Sequence, residues 1–227
     1  AGGLVELDSR RGFSMQYSIY ANAMDYNSAF GAVAWHLRPD DNVIYVNSSK
    51  LSLRGEDGAA EGFLYLNMPW QKDSRDSEMT LQIGLTGSNV QYHSKYVPEV
   101  VPPTLHQWLD DSLAEGDIDW AGFIYRGSLS PNDAEGRTVQ LAIGMDAASL
   151  DYHPRWPALS DIKGLLTIDD VEVKVDVERA RLYDSSLSNT LVAVAPNAAG
   201  SGMLLGVRSQ LTGPASDGLR VLRETML

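Results

Sequence analysis

The apolar residues of this chain recur mostly with period two. The cleanest run is Val171-Glu172-Val173-Lys174-Val175-Asp176-Val177-Glu178, in which valines alternate with charges. Successive side chains of a strand point to opposite faces, so this run predicts a strand with one apolar face. A twelve-residue pattern repeats the theme three times. Residues 15–26 read MQYSIYANAMDY, residues 81–92 LQIGLTGSNVQY and residues 141–152 LAIGMDAASLDY. The later copies share Ile83/Ile143, Gly84/Gly144 and His93/His153. In each copy the first residues alternate: Met15, Tyr17, Ile19; Leu81, Ile83, Leu85; Leu141, Ile143, Met145.

Further strands are expected near 31–37, 42–53, 59–67, 119–129, 161–168, 179–194 and 203–212. Turn chemistry separates them: Arg38-Pro39-Asp40-Asp41-Asn42, Gly55-Glu56-Asp57-Gly58 and a tight hairpin at Asp169-Asp170. Short strands joined by such turns predict antiparallel pairing rather than βαβ units. One helix interrupts them, over 104–115. Thr104 and Gln107 have capping-box spacing, Leu105, Trp108, Leu109 and Leu113 form a stripe, and Gly116 provides a stop. A second helical turn is expected near Asp217, with Leu219, Leu222 and Met226 on one side. The expected organisation is β repeat segments over 1–100 and 117–227, joined by a connecting helix at 101–116.

Composition narrows the function classes. The chain has 227 residues, 44% of them hydrophobic, enough to build a core. Lys and Arg number 18 against 30 Asp and Glu, a net charge of −12. That balance repels nucleic-acid phosphates, so no nucleic-acid partner is expected. There are no cysteines, which excludes disulfides and thiolate chemistry. No apolar run approaches the roughly 18 residues of a membrane span, and no signal-peptide pattern opens the chain. Both ends are expected to be cut from inside a longer chain.

Catalytic signals are weak. His36, His93, His106 and His153 have no metal-pair spacing, and His93 and His153 suit strand-end hydrogen bonds. The pairs Asp40-Asp41, Asp110-Asp111 and Asp169-Asp170 are sequence neighbours, whose side chains diverge, so they are poor acid–base couples. Asn132 to Gly136 lacks the calcium-loop spacing. No nucleophile elbow, phosphate loop or dinucleotide fingerprint is present. Trp35, Trp70, Trp108, Trp120 and Trp156 are scattered and suit either core packing or an apolar ligand wall.

Three stretches carry a family resemblance. They are YVPEVVPPTLHQWLDDSLAEGDIDWAGFIYRGSL at 96–129, LDYHPRWPALSDIKGLLTIDD at 150–170 and LTGPASDGLRVLRET at 211–225. In this order they resemble the YhdP family of AsmA-like envelope proteins, over most of 80–227. Residues 1–80 match through repeat character alone. The resemblance implies a mostly β, antiparallel, repeat-built sheet curled into an open groove. It implies a periplasmic segment of a protein anchored in the inner membrane by parts outside this chain. It further implies phospholipid movement between the inner and outer membranes, with no catalytic residues and no cofactor. Phospholipid acyl chains would then be the ligand, with other envelope proteins as further partners.

The expected groove lining is Met15, Tyr17, Ile19, Leu81, Ile83, Leu85, Leu141, Ile143, Met145, Val171, Val173, Val175 and Val177. Two other readings fit the same alternation. The apolar faces could close on one another as a structural or interaction module. A carbohydrate-active enzyme would have Tyr, Trp and Asp available for sugar contacts, without a placed pair of carboxylates.

Overall fold

The computed structural model describes residues 1–71, 76–197 and 202–225. Strands hold 62% of the residues and the helices are short. In chain order the strands are β1 (Gly2–Ser9), β2 (Phe13–Met15), β3 (Met24–Tyr26), β4 (Ser28–Arg38), β5 (Val43–Ser48), β6 (Leu51–Gly55), β7 (Gly58–Pro69), β8 (Glu78–Asn89), β9 (Leu113–Ser128), β10 (Arg137–Leu150), β11 (Leu159–Asp169), β12 (Glu172–Leu182), β13 (Ser185–Pro196) and β14 (Met203–Thr212). The helices are α1 (His93–Tyr96), α2 (Pro103–Ser112) and α3 (Ala215–Glu224).

One large antiparallel sheet dominates, in the order β1-β4-β5-β7-β8-β9-β10-β11-β12-β13-β14, and it does not close into a barrel. The short β6 pairs with β4 and β7, while β2 and β3 form a separate two-stranded sheet. Most neighbours in this order are also neighbours in sequence, as the turn-rich pattern requires. The β11–β12 hairpin turns through Asp170, at φ 51°, and Val171, closed by the pair Asp169 and Glu172. Val171 therefore lies in the turn, and the alternation of this run starts at Glu172.

The chain divides into two compact units. The first holds residues 1–15, 25–86 and 121–141; the second holds 16–24, 87–120 and 142–227. The second unit contains a buried cluster of Ala148, Ile162, Val177 and Ala180, flanked by Met145, Leu150, Leu159, Val175 and Leu187. The cluster lies beside breaks in strand register. Asp161, at φ 50°, sits where β11 slips against β12, and Asn189, at φ 47°, where β13 slips against β14. Such bulges bend and twist the strands that carry them. Charges link the strands at the same level. Arg179 contacts Asp146 at 2.6 Å and Asp161 at 3.7 Å, and Lys163 lies 3.8 Å from Glu178.

Several boundaries differ from the expected ones. Residues 15–26 do not form one strand: β2 ends at Met15, and residues 16–23 run outside any strand, with Tyr20 N–H donating to the carbonyl of Tyr17. Helix α2 starts with Pro103 in its first turn, so Thr104 is already inside it, and the flanking residue Pro102 has no side-chain cap to give. The helix ends at Ser112 rather than near Gly116. The chain passes straight into β9, where Gly116 adopts φ 150° against Ala148 of β10. The stretches 42–53 and 179–194 each split into two strands at a turn.

Helix α3 is held to the β12–β13 turn by polar contacts. Asp217, buried, accepts from the Ser185 hydroxyl at 2.7 Å and from the Asp184 amide at 3.2 Å. The Tyr183 hydroxyl donates to Glu224, which Arg220 also contacts at 2.8 Å while lying over the Tyr183 ring. Leu219 and Leu222 remain exposed; Met226 lies outside the described residues. Arg220 first, and then Tyr183, hold the Glu224 carboxyl below its ordinary value of 4.5. A depressed acid contributes fully above its unfolded value and loses that contribution as pH falls through the folded one. The stability difference between wild type and Glu224→Gln is thus expected to be constant near neutrality and to shrink toward zero below about pH 4.5. Thermal midpoints across that range check it; a difference that acid leaves unchanged would remove this contact from the account.

Candidate functional site

Register assigns the side chains of each unit to two faces. In the first unit, one row crosses five strands through Gly3, Trp35, Val46, Leu66 and Met79. A second passes through Val5, Val33 and Ser48, and a third pairs Leu64 with Leu81. Further rows hold Leu37, Ile44 and Met68; Leu51, Gly62 and Ile83; and Ala29, Leu53, Ala60 and Leu85. Ser48 is the one polar side chain in these rows, and its hydroxyl accepts the Leu64 amide at 2.8 Å. A continuous apolar face results.

Little covers that face. Val5 is 56% exposed, Trp35 42% and Ile83 38%, and most of their neighbours are half-buried. Its buried members are small, Ala29 and Ala60. Trp35 lies flat on the sheet over Gly3, where a Cβ would fall 2.1 Å from the indole. In the second unit Trp120 covers Gly144 in the same way, with a Cβ placed 2.6 Å from its Nε1. Here the glycines are needed for close approach rather than for chain freedom.

In the second unit one row runs Leu166, Val175, Val192 and Val207, and another Ile168, Val173, Val194 and Leu205. Exposure rises along each row, from half-buried side chains on β11, β12 and β13 to 64% at Val207 and 67% at Leu205 on β14. The opposite face carries Glu172, Lys174 and Asp176.

The expected lining residues fall into three groups. Leu81, Ile83 and Leu85 lie together on the apolar face of the first unit. Val173, Val175 and Val177 share that of the second, and Met145, like Val175, packs against the buried cluster that holds Val177; Leu141 and Ile143 alternate in step with Met145 on β10. Tyr17 and Ile19 lie outside the strands, Met15 sits on the small β2–β3 sheet, and Val171 occupies a turn. The rows on β4, β5 and β7 were not singled out from sequence, although Leu64, Leu66 and Met68 alternate and could have been.

The reverse face of the first unit is polar but also aromatic. Tyr45, Phe63 and Tyr65 lie on it, with the Tyr45 and Tyr65 rings 6.4 Å apart. At one end it opens on a cleft of about 410 Å³, where Asn67, Asp76, Glu78 and Asp133 stand around Val43 and Pro69. Displaced titrations are dispersed. Lys50 lowers Glu61, burial raises Tyr20 and Tyr152, and the Glu224 hydrogen bond raises Tyr183. Among the described residues no group of three or more His, Asp or Glu is placed to hold a metal ion. His93 makes structural hydrogen bonds, to the Val90 carbonyl at 2.9 Å and to Asp110 at 2.8 Å.

The model of one protein family, described as YhdP protein, matches residues 1–227, the whole chain. No curated protein and no solved structure matches it.

Exposure separates open-face positions from core. Ile83→Asp is expected to leave the fold intact, at a cost of about 1 kcal/mol, because water reaches the new carboxylate. Val177→Asp, at a site 6% exposed, is expected to cost more than about 3 kcal/mol. Urea unfolding of the two variants measures the difference, and equal costs would refute the division.

Proposed function

Since the chain belongs to the YhdP family, we propose that it is a non-catalytic segment of an AsmA-like envelope protein whose uncovered apolar sheet faces carry phospholipid acyl chains between the inner and outer membranes. The observation that carries this reading is the row structure of the first unit: apolar side chains on neighbouring strands, one occupied serine, and little cover. An acyl chain in water costs about 0.8 kcal/mol per CH₂. An open apolar face removes that cost and leaves the headgroup in water. Contact without directional bonds also lets a chain slide, because no position holds it much more tightly than the next.

In this reading the segment works in the periplasm. Its attachment to the inner membrane lies in other parts of the protein, and other envelope proteins are its macromolecular partners. It uses no cofactor, and its negative charge keeps nucleic acid away. The buried cluster around Ile162 and Val177 supports a second reading for the second unit, as a structural module whose apolar side chains cover one another.

Uptake of a fluorescent phospholipid by the purified chain, with native mass spectrometry of copurifying lipid, tests the proposal. Leu66→Asp and Leu81→Asp are expected to lower uptake at least tenfold with circular dichroism unchanged. Thr80→Asp, on the reverse face, is expected to leave it intact. A wild-type chain that takes up no lipid, or one whose uptake survives both apolar-face charges, would sink the lipid reading and leave the structural module.

A further inference from the structure

On the reverse face of the first unit, strand alternation would place polar side chains in water. Three aromatic rings stand there instead, on adjoining strands β5 and β7. Phe63 is 49% exposed and Tyr65 43%, and they offer open rings; Tyr45 stands beside Tyr65 with the Arg38 guanidinium 5.6 Å over its own ring. Exposed aromatic clusters on a polar face mark binding surfaces more often than isolated ones do. The side chains between the rings have a common chemistry. Asn47 is the cross-strand partner of Tyr65, Asn67 that of Tyr45, and Gln82 that of Phe63. None of the three carboxamides makes a hydrogen bond to another described residue. Each ring thus has beside it a carboxamide, unpaired among the described residues, that both donates and accepts.

We propose that this strip binds an uncharged glycan strand built of N-acetylated hexosamines. Three features select that ligand. The apolar face of a pyranose lies flat on an aromatic ring, and rings held on a rigid sheet lose little freedom in meeting it. A carboxamide pairs in both directions with the N-acetyl amide, which offers one N–H and one carbonyl. Charge then disfavours a polyanion. Asp76, Glu78 and Asp133 border the adjoining cleft and the chain carries a net charge of −12, while Glu61, on the same face, is paired with Lys50 at 3.0 Å. The cleft carboxylates repel a polyanion, whereas sugar hydroxyls can donate to them. The strip lies opposite the proposed lipid face, since Tyr65 and Leu66 alternate on β7, so the two ligands do not compete for one surface.

Titration of the intact chain with the hexamer of N-acetylglucosamine, followed by amide NMR shifts and calorimetry, tests the proposal. Shifts are expected on β5, β7 and β8 around Tyr65. Phe63→Ala and Tyr65→Ala should each weaken binding about fivefold or more. Asn47→Ala, a surface change with little reach into the fold, should weaken it about threefold, and a glucose hexamer lacking the N-acetyl group should bind less well. Phospholipid uptake should be unchanged in all three variants, and Leu66→Asp should lose lipid while keeping the glycan. The proposal is overturned by an absence of shifts at millimolar hexamer, by equal binding in folded Tyr65→Ala and Asn47→Ala, or by a sulfated polysaccharide binding the strip more tightly than the N-acetylated one.

Discussion

A strand cannot turn two consecutive side chains the same way. Once β4, β5, β7 and β8 pair in register, the side chains at alternate positions are committed to one surface, and those between them to the other. The rest of the first unit follows from that restriction. The apolar surface extends because each strand adds one more side chain to a row at a spacing of about 4.8 Å. Ser48 is tolerated within it because the Leu64 amide occupies its hydroxyl. Ordinary sheets resolve such a surface by stacking a second layer on it. Here the side chains of the face, Trp35 and Ile83 among them, stay partly exposed.

The second unit follows the same restriction up to the bulges. At Asp161 and Asn189 the pairing slips, and beyond those points Leu150, Leu159 and Leu187 close on Ile162 and Ala180. Burial is thus concentrated where the strands are irregular. Across the regular stretch the valines of β12 and β13 form a surface that becomes more exposed toward β14. Polar contacts, from Asp217 to Ser185 and from Glu224 to Tyr183, fasten α3 without using its leucines.

Much of this architecture was legible in the sequence, for a local reason. Val173 to Val177, Leu81 to Leu85 and the strand Met203–Thr212 announce themselves through alternation within one strand. The 66-residue offset between the first copy of the repeat, starting at 15, and the second, starting at 81, carried less information than it seemed to. Tyr17 and Ile19 alternate correctly, yet they have no partner strand, and pairing rather than pattern makes a strand. Gly116 resembles a helix stop, but the helix had already ended at Ser112, where the chain enters β9. The apolar rows of the first unit were hidden because a row is a property of several strands. Trp35 and Leu66 are distant in sequence, and only the register of β5 between them places both on one surface.

The two indole–glycine stacks, Trp35 on Gly3 and Trp120 on Gly144, constrain how this protein can change over generations. A side chain at Gly3 would occupy space that the indole already fills, so the step from glycine is closed while the tryptophan remains. Loss of the tryptophan alone uncovers bare backbone but clashes with nothing, so that step stays open. Substitutions at such a pair have a permitted order, aromatic first and glycine second. The glycine is therefore tied to its tryptophan although the two lie on different strands.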